Sequence, residues 1–199
     1  MKIAVLGTGN VGTALGTAFA SAGHTIVYGS RTPGGEKNAV SYRDAAENAD
    51  VVITAVPGAV AVATLEEVGE EVLGEKVVLD VSNAFTPQFT LAFPNDSVAR
   101  MIQERFPRAR VVKSLNTMNI SVMTNPSAVS PASNVFVSGD DEAAKASVRT
   151  LLADLGWSED AIFDLGGVAT AAGPESTGLL FIGIMTALQT PTFNLAIAR

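Results

Sequence analysis

The chain begins with a short apolar run that leads directly into a glycine-rich turn. Residues 3–6 are Ile-Ala-Val-Leu, and Gly7, Gly9 and Gly12 follow with the spacing G-x-G-x-x-G. We predict a strand over 3–6 and a helix over 10–22, with the turn between them. In that geometry the first glycine permits the tight turn, the second lets a pyrophosphate approach the backbone, and the third lets the helix pack on the strand. The opening residues therefore predict a dinucleotide-binding fold.

The second predicted strand, 25–29, ends in Gly29-Ser30-Arg31. In a dinucleotide-binding fold this position meets the adenine ribose. A cofactor with a free 2′-hydroxyl is usually met there by Asp or Glu, whereas a carboxylate would repel a 2′-phosphate. Arg beside a hydroxyl is suited to bind that phosphate. Ser30 and Arg31 therefore predict NADP(H) as the cofactor rather than NAD.

Short apolar runs with little alternation of polar residues recur along the chain and are separated by helical segments. This pattern is typical of a parallel sheet that is covered on both faces. We predict an α/β fold of the Rossmann type, with a doubly wound, mainly parallel sheet and a short C-terminal helical extension. Residues 1–165 would form the NADP-binding domain, and residues 166–199 a helix and tail packed on the same domain. The predicted strands are 3–6, 25–29, 51–55, 76–81, 110–115, 134–138 and 161–165.

The composition narrows the classes of partner. The 199 residues carry a formal net charge of −7, which argues against nucleic acid or an anionic membrane as a partner. There is no cysteine, so no thiolate site is available, and we predict no metal site. The longest apolar stretch, Gly178 to Leu188, is shorter than the roughly 20 residues of a transmembrane helix. A soluble, cytoplasmic protein is expected.

Four motifs in order carry a resemblance to a known family. They are Gly-Thr-Gly-Asn-Val-Gly at 7–12, Gly-Ser-Arg at 29–31, Asp-Val-Ser-Asn at 80–83 and Lys-Ser-Leu-Asn-Thr at 113–117. The chain resembles, over essentially its whole length, the NADP oxidoreductases that depend on the deazaflavin coenzyme F420. The resemblance implies hydride transfer between NADPH and a deazaflavin. It assigns dinucleotide binding to Gly7, Thr8, Gly9, Asn10, Val11, Gly12, Ser30 and Arg31, and the ribose and nicotinamide side to Ala55, Val56 and Pro57.

The resemblance also bears on the acceptor side. It implies that Asn83 and Asn116 lie close to the reacting rings at the carboxyl edge of the sheet. Ala84 stands where the family usually has proline, and the segment from Phe85 to Pro94, which would border the acceptor pocket, carries apolar residues without an assigned place. The apolar stretch 179–185 is expected to be core, with a dimer contact or a wall of the acceptor pocket as the alternatives.

Proton donors are scarce near the predicted site. His24, the only histidine, is expected at the surface or at a helix end. Lys113 is expected to be paired structurally, and Asp80 to hydrogen-bond its own loop. Asn83 and Asn116 can orient a ligand but do not readily supply a proton, so no catalytic residue is assigned. This shortage favours a deazaflavin or flavin acceptor, which brings its own electronic properties.

Alternative functions remain open at this point. The chain could reduce a small imine, ketone or quinone with NADPH, which would require a proton donor near the nicotinamide. It could also be a non-catalytic NADP(H)-binding sensor. Its partner is expected to be a small redox coenzyme, and a homodimer through the C-terminal helix is a further arrangement that the sequence allows.

Overall fold

The computed structural model describes residues 1–35 and 37–198, and within them seven strands form one sheet. The strand order is β2-β1-β3-β4-β5-β6-β7. Neighbouring strands are parallel except for β5 and β6, which pair antiparallel. The Rossmann-type, mainly parallel α/β prediction is therefore confirmed. The strands are β1 Lys2–Leu6, β2 Thr25–Gly29, β3 Val51–Thr54, β4 Val77–Asp80, β5 Arg110–Ser114, β6 Val135–Gly139 and β7 Ile162–Asp164.

Helices connect the strands and cover both faces of the sheet. The helical segment that follows β3 is interrupted at Gly69, whose φ of 92° is unfavourable for other residues, so the segment forms two helices. The α-helices in the described part of the chain are α1 Asn10–Ser21, α2 Tyr42–Glu47, α3 Ala61–Val68, α4 Glu70–Leu73, α5 Val98–Arg105, α6 Ile120–Met123, α7 Glu142–Asp154 and α8 Ala172–Leu188.

The two faces of the sheet have separate apolar cores. On one face Ile3 and Val5 pack with Leu15 and Phe19 of α1 and with α7. On the other face α2, α3 and α5 pack on the intervening strand residues, with Leu65 and Ile102 fully buried. Because successive strand residues point to opposite faces, burial on both sides explains why these strands lack polar alternation.

The apolar helical segment near the C-terminus is longer than the apolar stretch 178–188 noted in the sequence, and it is more exposed than the expected core helix. A 3₁₀ turn, Val168–Ala171, runs into α8, so the apolar helical segment Val168–Leu188 has 21 residues and by length and composition could cross a membrane. Core helices of soluble proteins meet the same criterion, but only 28% of the most apolar part of this helix is buried. After α8 the tail returns to the start of β6, where Asn134 N donates to Leu195 O at 2.9 Å.

Candidate functional site

The carboxyl ends of the four central strands are aligned. Leu6 pairs with Thr54, Thr54 with Asp80, and Asp80 with Lys113, so the loops after these strands begin at one level. The chain leaves β1 toward β2 on one side and returns to β3 on the other, which makes the β1–β3 boundary a topological switch point. In open α/β sheets a crevice for ligands opens at such a point.

The three glycines of the first loop have different surroundings. Gly7 has φ +119°, and a Cβ there would lie 2.5 Å from the carbonyl oxygen of Ala55. A Cβ on Gly12 would lie 2.0 Å from Gly7 O, so α1 packs on the loop as closely as its backbone allows. A Cβ on Gly9 would meet no protein atom within 4 Å beyond its chain neighbours. The open side of Gly9 is a cradle that a side chain would fill and that a phosphate can approach.

The N-terminus of α1 faces this cradle. Gly9 is its N-cap residue, and no described side chain caps it. The first N–H groups of a 12-residue helix and its dipole therefore remain available to an anion. Asn10 and Val11 lie on the wall of the same crevice, and Thr8 O accepts a hydrogen bond from Thr13 Oγ1 at 3.2 Å.

Ser30 and Arg31 follow β2 directly beside the glycine loop. Gly7 N donates to Gly29 O at 2.9 Å, which holds the end of β2 against the turn. Ser30 Oγ accepts from Thr32 N at 3.2 Å, and the Arg31 residue is exposed. No carboxylate of the described residues forms an ion pair with Arg31, so its guanidinium is free to meet a phosphate from that side of the loop.

A cleft of about 580 Å³ extends from the glycine loop across the strand ends. It brings together eight of the residues that the sequence assigns to the site. The other five, Gly7, Thr8, Gly12, Ser30 and Arg31, lie outside its lining, in the turn and beside it. The eight that line the cleft are Gly9, Asn10, Val11, Ala55, Val56, Pro57, Asn83 and Asn116.

Asn83 and Asn116 hydrogen-bond each other. Asn83 Nδ2 donates to Asn116 O at 2.7 Å, and Asn116 Nδ2 donates to Asn83 Oδ1 at 3.0 Å. Leu115, just before Asn116, has φ 64°, a left-handed conformation that is rare for a residue with a branched side chain. This turn at the end of β5 directs Asn116 toward the loop after β4. Next to Asn83, Ser82 Oγ is buried at the cleft wall without a hydrogen-bond partner among the described residues.

The rest of the cleft lining is mostly apolar. The sequence analysis placed the segment 85–94 at the border of the acceptor pocket and gave a pocket wall as one alternative for 179–185, but it assigned no individual residue there. The unplaced segment after β4 supplies Phe85 and Phe89, and the chain after Asn116 supplies Met118, Ile120 and Met123. The helix α8 supplies Gly178, Phe181 and Ile182. The expectation that 179–185 is core is wrong, because this helix has one face on the cleft and its Leu179 and Leu180 are 44% and 55% exposed. The signal in the sequence was the excess of apolar residues in both segments.

The comparisons with known proteins agree with this geometry. Residues 2–84 match the family model described as NADP oxidoreductase, coenzyme F420-dependent. A crystal structure of a candidate F420-dependent NADP reductase from Arthrobacter sp. FB24 is 39% identical, with a TM-score of 0.92 and 100% of both chains covered. The chain belongs to the F420-dependent NADP oxidoreductase family. It is an NADP-dependent oxidoreductase, and its cofactor is NADP(H).

Two further solved structures are similar to this oxidoreductase. The hypothetical protein SMa0349 from Sinorhizobium meliloti is 28% identical, with a TM-score of 0.70 over 86% of this chain and 88% of that one. An imine reductase from Aspergillus terreus, solved with NADPH4 and dibenz[c,e]azepine, is 21% identical, with a TM-score of 0.67. The match covers 94% of this chain and 62% of the imine reductase, and at that identity the likeness concerns the fold.

A buried charge cluster lies behind the cleft of the oxidoreductase. Lys113 Nζ is 2.7 Å from Asp80 Oδ2 and 2.9 Å from Glu175 Oε1, and it also donates to Ser82 O. Thr54 Oγ1 donates to Asp80 Oδ1 at 2.6 Å. Burial raises the pKa of Glu175, an effect that Asp80 adds to and Lys113 opposes. Lys113 and Asp80 thus have structural pairing roles, and the cluster joins α8 to the strand ends that carry the site.

His24 lies away from the cleft. Its Nε2 is 2.9 Å from Asp154 Oδ2, and its Nδ1 is 3.2 Å from the amino group of Met1. The ring is more enclosed than a surface residue, and it joins the end of α1 to α7. None of the described residues that line the cleft has a titratable side chain.

Proposed function

We propose that this oxidoreductase transfers a hydride between NADPH and a deazaflavin of the coenzyme F420 type, or a flavin-type acceptor. The observation that carries the proposal is the make-up of the cleft. The cleft includes part of the glycine loop, most of its other lining is apolar or aromatic, and no titratable side chain of the described residues lines it. Such a surface suits a planar ring system that accepts a hydride without a proton from a protein side chain.

The chain's residues fit the dinucleotide in a consistent way. Gly9 leaves room for the pyrophosphate, and the free N–H groups at the start of α1 would donate to it. Ser30 and Arg31 would hold the 2′-phosphate. Ala55, Val56 and Pro57 would line the ribose and nicotinamide side of the cleft.

The two paired asparagines would position the reacting rings. Their mutual hydrogen bonds fix both side chains, while Asn83 Nδ2 keeps a second N–H and Asn116 Oδ1 has no partner among the described residues. These groups can meet the amide and carbonyl groups that nicotinamide and deazaflavin rings carry. The apolar half of the cleft would exclude water and hold the rings in contact, which is most of what hydride transfer requires of a protein.

The overall reaction balances without a protein-derived proton. When bound, NADPH would supply a hydride, which is one proton with two electrons, to ring carbon C5 of a deazaflavin or to ring nitrogen N5 of a flavin. A proton from water completes the reduced deazaflavin, and NADP⁺ is released. A ketone or imine, by contrast, develops charge on oxygen or nitrogen and gains from a donor close by, which this cleft does not supply from its titratable side chains.

An acceptor panel tests the proposal. NADPH and the purified protein are mixed separately with oxidised F420, FAD, FMN, a small quinone and a cyclic imine, and the absorbance of each is followed. We expect rapid bleaching of F420. Reduction of the imine or quinone alone would favour the small-substrate reductase. Tight NADPH binding with every acceptor left oxidised would favour the sensor, and either result would overturn the proposal.

We further propose that the enzyme is cytoplasmic, that its partner is a small redox coenzyme, and that it binds neither nucleic acid nor a membrane. The net charge of −7 supports this, because it opposes attraction to anionic polymers and lipid surfaces. The anionic cofactors would then be held by local donors rather than by the overall field.

A further inference from the structure

The segment after β4 forms a small hairpin over the cleft, which we call the tongue (residues 84–92). Phe85 and Leu91 form an antiparallel bridge. Ala92 N donates to Ala84 O at 2.9 Å, and Thr86 N donates to Thr90 O at 2.8 Å. The hydroxyls of Thr86 and Thr90 are also 2.8 Å apart. These bonds fix the tongue as a defined element rather than an open loop.

The base of the tongue is anchored on two sides. Ala84 is buried, and the preceding Asn83 O accepts a hydrogen bond from Gly58 N at 3.0 Å. Phe85 packs against α8 where Gly178 leaves space, since a Cβ on Gly178 would lie 2.4 Å from Phe85 Cζ. The tongue therefore bridges the cofactor side of the cleft and the wall formed by α8.

The tip of the tongue presents Phe89 to the cleft. Phe89 lines the cavity but is 68% exposed, the largest exposed fraction among the large apolar residues of the described chain. Its φ of 57° is disfavoured for an aromatic residue, and Phe89 N donates to Thr86 O at 2.9 Å. The turn thus holds a bare aromatic ring at the cleft mouth in a conformation with a local cost.

The wall formed by α8 also presents an aromatic residue to the cleft, and the C-terminal tail packs against that residue. Phe181 of α8 lines the cleft and stacks on Phe193 of the tail, with ring centroids 4.6 Å apart and planes at 21°. The tail is held in turn by Asn194 Nδ2, which donates to Ser133 Oγ and to Asn134 O at 2.9 Å. A wall held by these contacts therefore lines the same cleft as Phe89, whose residue is mostly exposed.

We propose that Phe89 is a specificity-determining residue for the acceptor, and that it stacks on the planar ring of a deazaflavin or flavin. This inference rests on the proposed function and adds the feature that selects a planar aromatic acceptor. Aromatic faces attract one another in offset stacks, and an extended heteroaromatic ring would cover apolar surface that Phe89 otherwise exposes. A small aliphatic imine or ketone would leave that surface in water.

Equilibrium binding of oxidised F420 tests the role of Phe89 independently of turnover. The protein is saturated with NADP⁺, which cannot donate a hydride, and F420 is titrated while its fluorescence is followed. The variants are Phe89→Ala, Phe89→Leu and Phe89→Tyr, with Leu165→Ala, a 37% exposed residue after β7 that does not line the cleft, as the apolar control. Because the Phe89 side chain is exposed at a hairpin tip, these variants should fold, which thermal unfolding verifies.

We expect Phe89→Ala to raise the Kd for F420 by about tenfold, the size of one aromatic stacking contact. Phe89→Leu should weaken F420 binding nearly as much, whereas Phe89→Tyr should keep the wild-type affinity for F420. The Kd for NADPH should stay unchanged in all three variants. Unchanged F420 binding in Phe89→Ala, or full affinity in Phe89→Leu, overturns the stacking role while wild-type turnover of F420 still supports the proposed function. Failure of the wild type to bind F420, together with failure to reduce F420, FAD or FMN, overturns both.

Discussion

Two glycines of the first loop are constrained for different reasons, Gly12 by packing within the protein and Gly9 by the space that a cofactor would occupy. Packing requires glycine at position 12, because the Cβ of any other residue there would collide with Gly7 O. A Cβ on Gly9 would meet no protein atom within 4 Å beyond its chain neighbours, and the φ of −73° suits any residue. If Gly9 is kept open for a pyrophosphate, adding a methyl group there should damage cofactor binding and leave the fold intact.

We therefore predict that Gly9→Ala raises the Kd for NADPH by about tenfold or more while the free energy of unfolding of the cofactor-free protein changes little. Gly12→Ala should instead destabilise the protein by about 1–3 kcal/mol through overpacking. Fluorescence titration with NADPH and urea unfolding measure the two effects. Full NADPH affinity in Gly9→Ala would contradict the assigned phosphate site.

Arg31 should distinguish the two nicotinamide cofactors. Removing a charge-assisted contact with the 2′-phosphate in Arg31→Ala should cost about 1–3 kcal/mol of NADPH binding. NADH, which lacks that phosphate, should bind as before. The matched control is Arg108→Ala, whose side chain is 64% exposed and pairs with Glu75 outside the cleft. Equal losses for NADPH and NADH, measured by calorimetry, would remove the 2′-phosphate assignment.

At the scale of elements, the charge cluster attaches α8 to the sheet. Glu175 Oε1 accepts from Val98 N at 2.8 Å at the start of α5 and pairs with Lys113 at the end of β5. Two carboxylates and one ammonium group are buried together, so the cluster has an excess of negative charge when all three are ionised. This explains why burial and Asp80 raise the pKa of Glu175 despite its ion pair.

The raised pKa gives a pH dependence with a definite sign. Glu175 contributes stability that is fully present below its ordinary pKa of 4.5 and is lost as the pH rises through the higher pKa of the folded state. Gln does not titrate, so the wild type should lose stability relative to Glu175→Gln as the pH rises from about 4.5 toward neutrality. Urea midpoints across that range measure the difference, with the exposed Glu47→Gln as the control. A difference that is constant with pH would show that Glu175 does not titrate in this way.

For the molecule as a whole, much of the fold could be predicted because it depends on residues that are neighbours in the sequence. Short apolar strands and the turn of Gly7 and Gly9 are encoded by neighbouring residues. The antiparallel pairing of β6 was not predicted, because it follows from the connection after β5, which holds the four-residue α6 and a three-residue 3₁₀ turn but no long crossover helix. The partner of Glu175 and the contact of Phe85 with Gly178 depend on segments far apart in the chain, so no local pattern indicates them.

The outer face of α8 leads us to propose a homodimer through this helix. Leu179, Leu180 and Leu188 are 44%, 55% and 56% exposed. No charged residue occurs between 176 and 198, so two copies can meet there without like-charge repulsion despite the net charge of −7. Burying this surface should be favourable, because apolar area removed from water stabilises association.

Leu180→Glu should accordingly halve the mass measured in solution by light scattering, from twice the 20.5 kDa of the chain to a single chain. Val60→Glu, which changes a 46% exposed residue away from α8, should leave the mass unchanged. A monomeric wild type at tens of micromolar would contradict the proposed dimer.

Tracing the transferred hydrogen tests the central claim most directly. NADPH deuterated on one or the other face of nicotinamide C4 is incubated with the oxidoreductase and oxidised F420 in ordinary water. Mass spectrometry then follows the label in both products. We predict that one of the two forms delivers its deuterium to the reduced deazaflavin, while the other retains it in NADP⁺. Reduced F420 without deuterium from either form, or no reduction of F420, would contradict direct hydride transfer in this cleft.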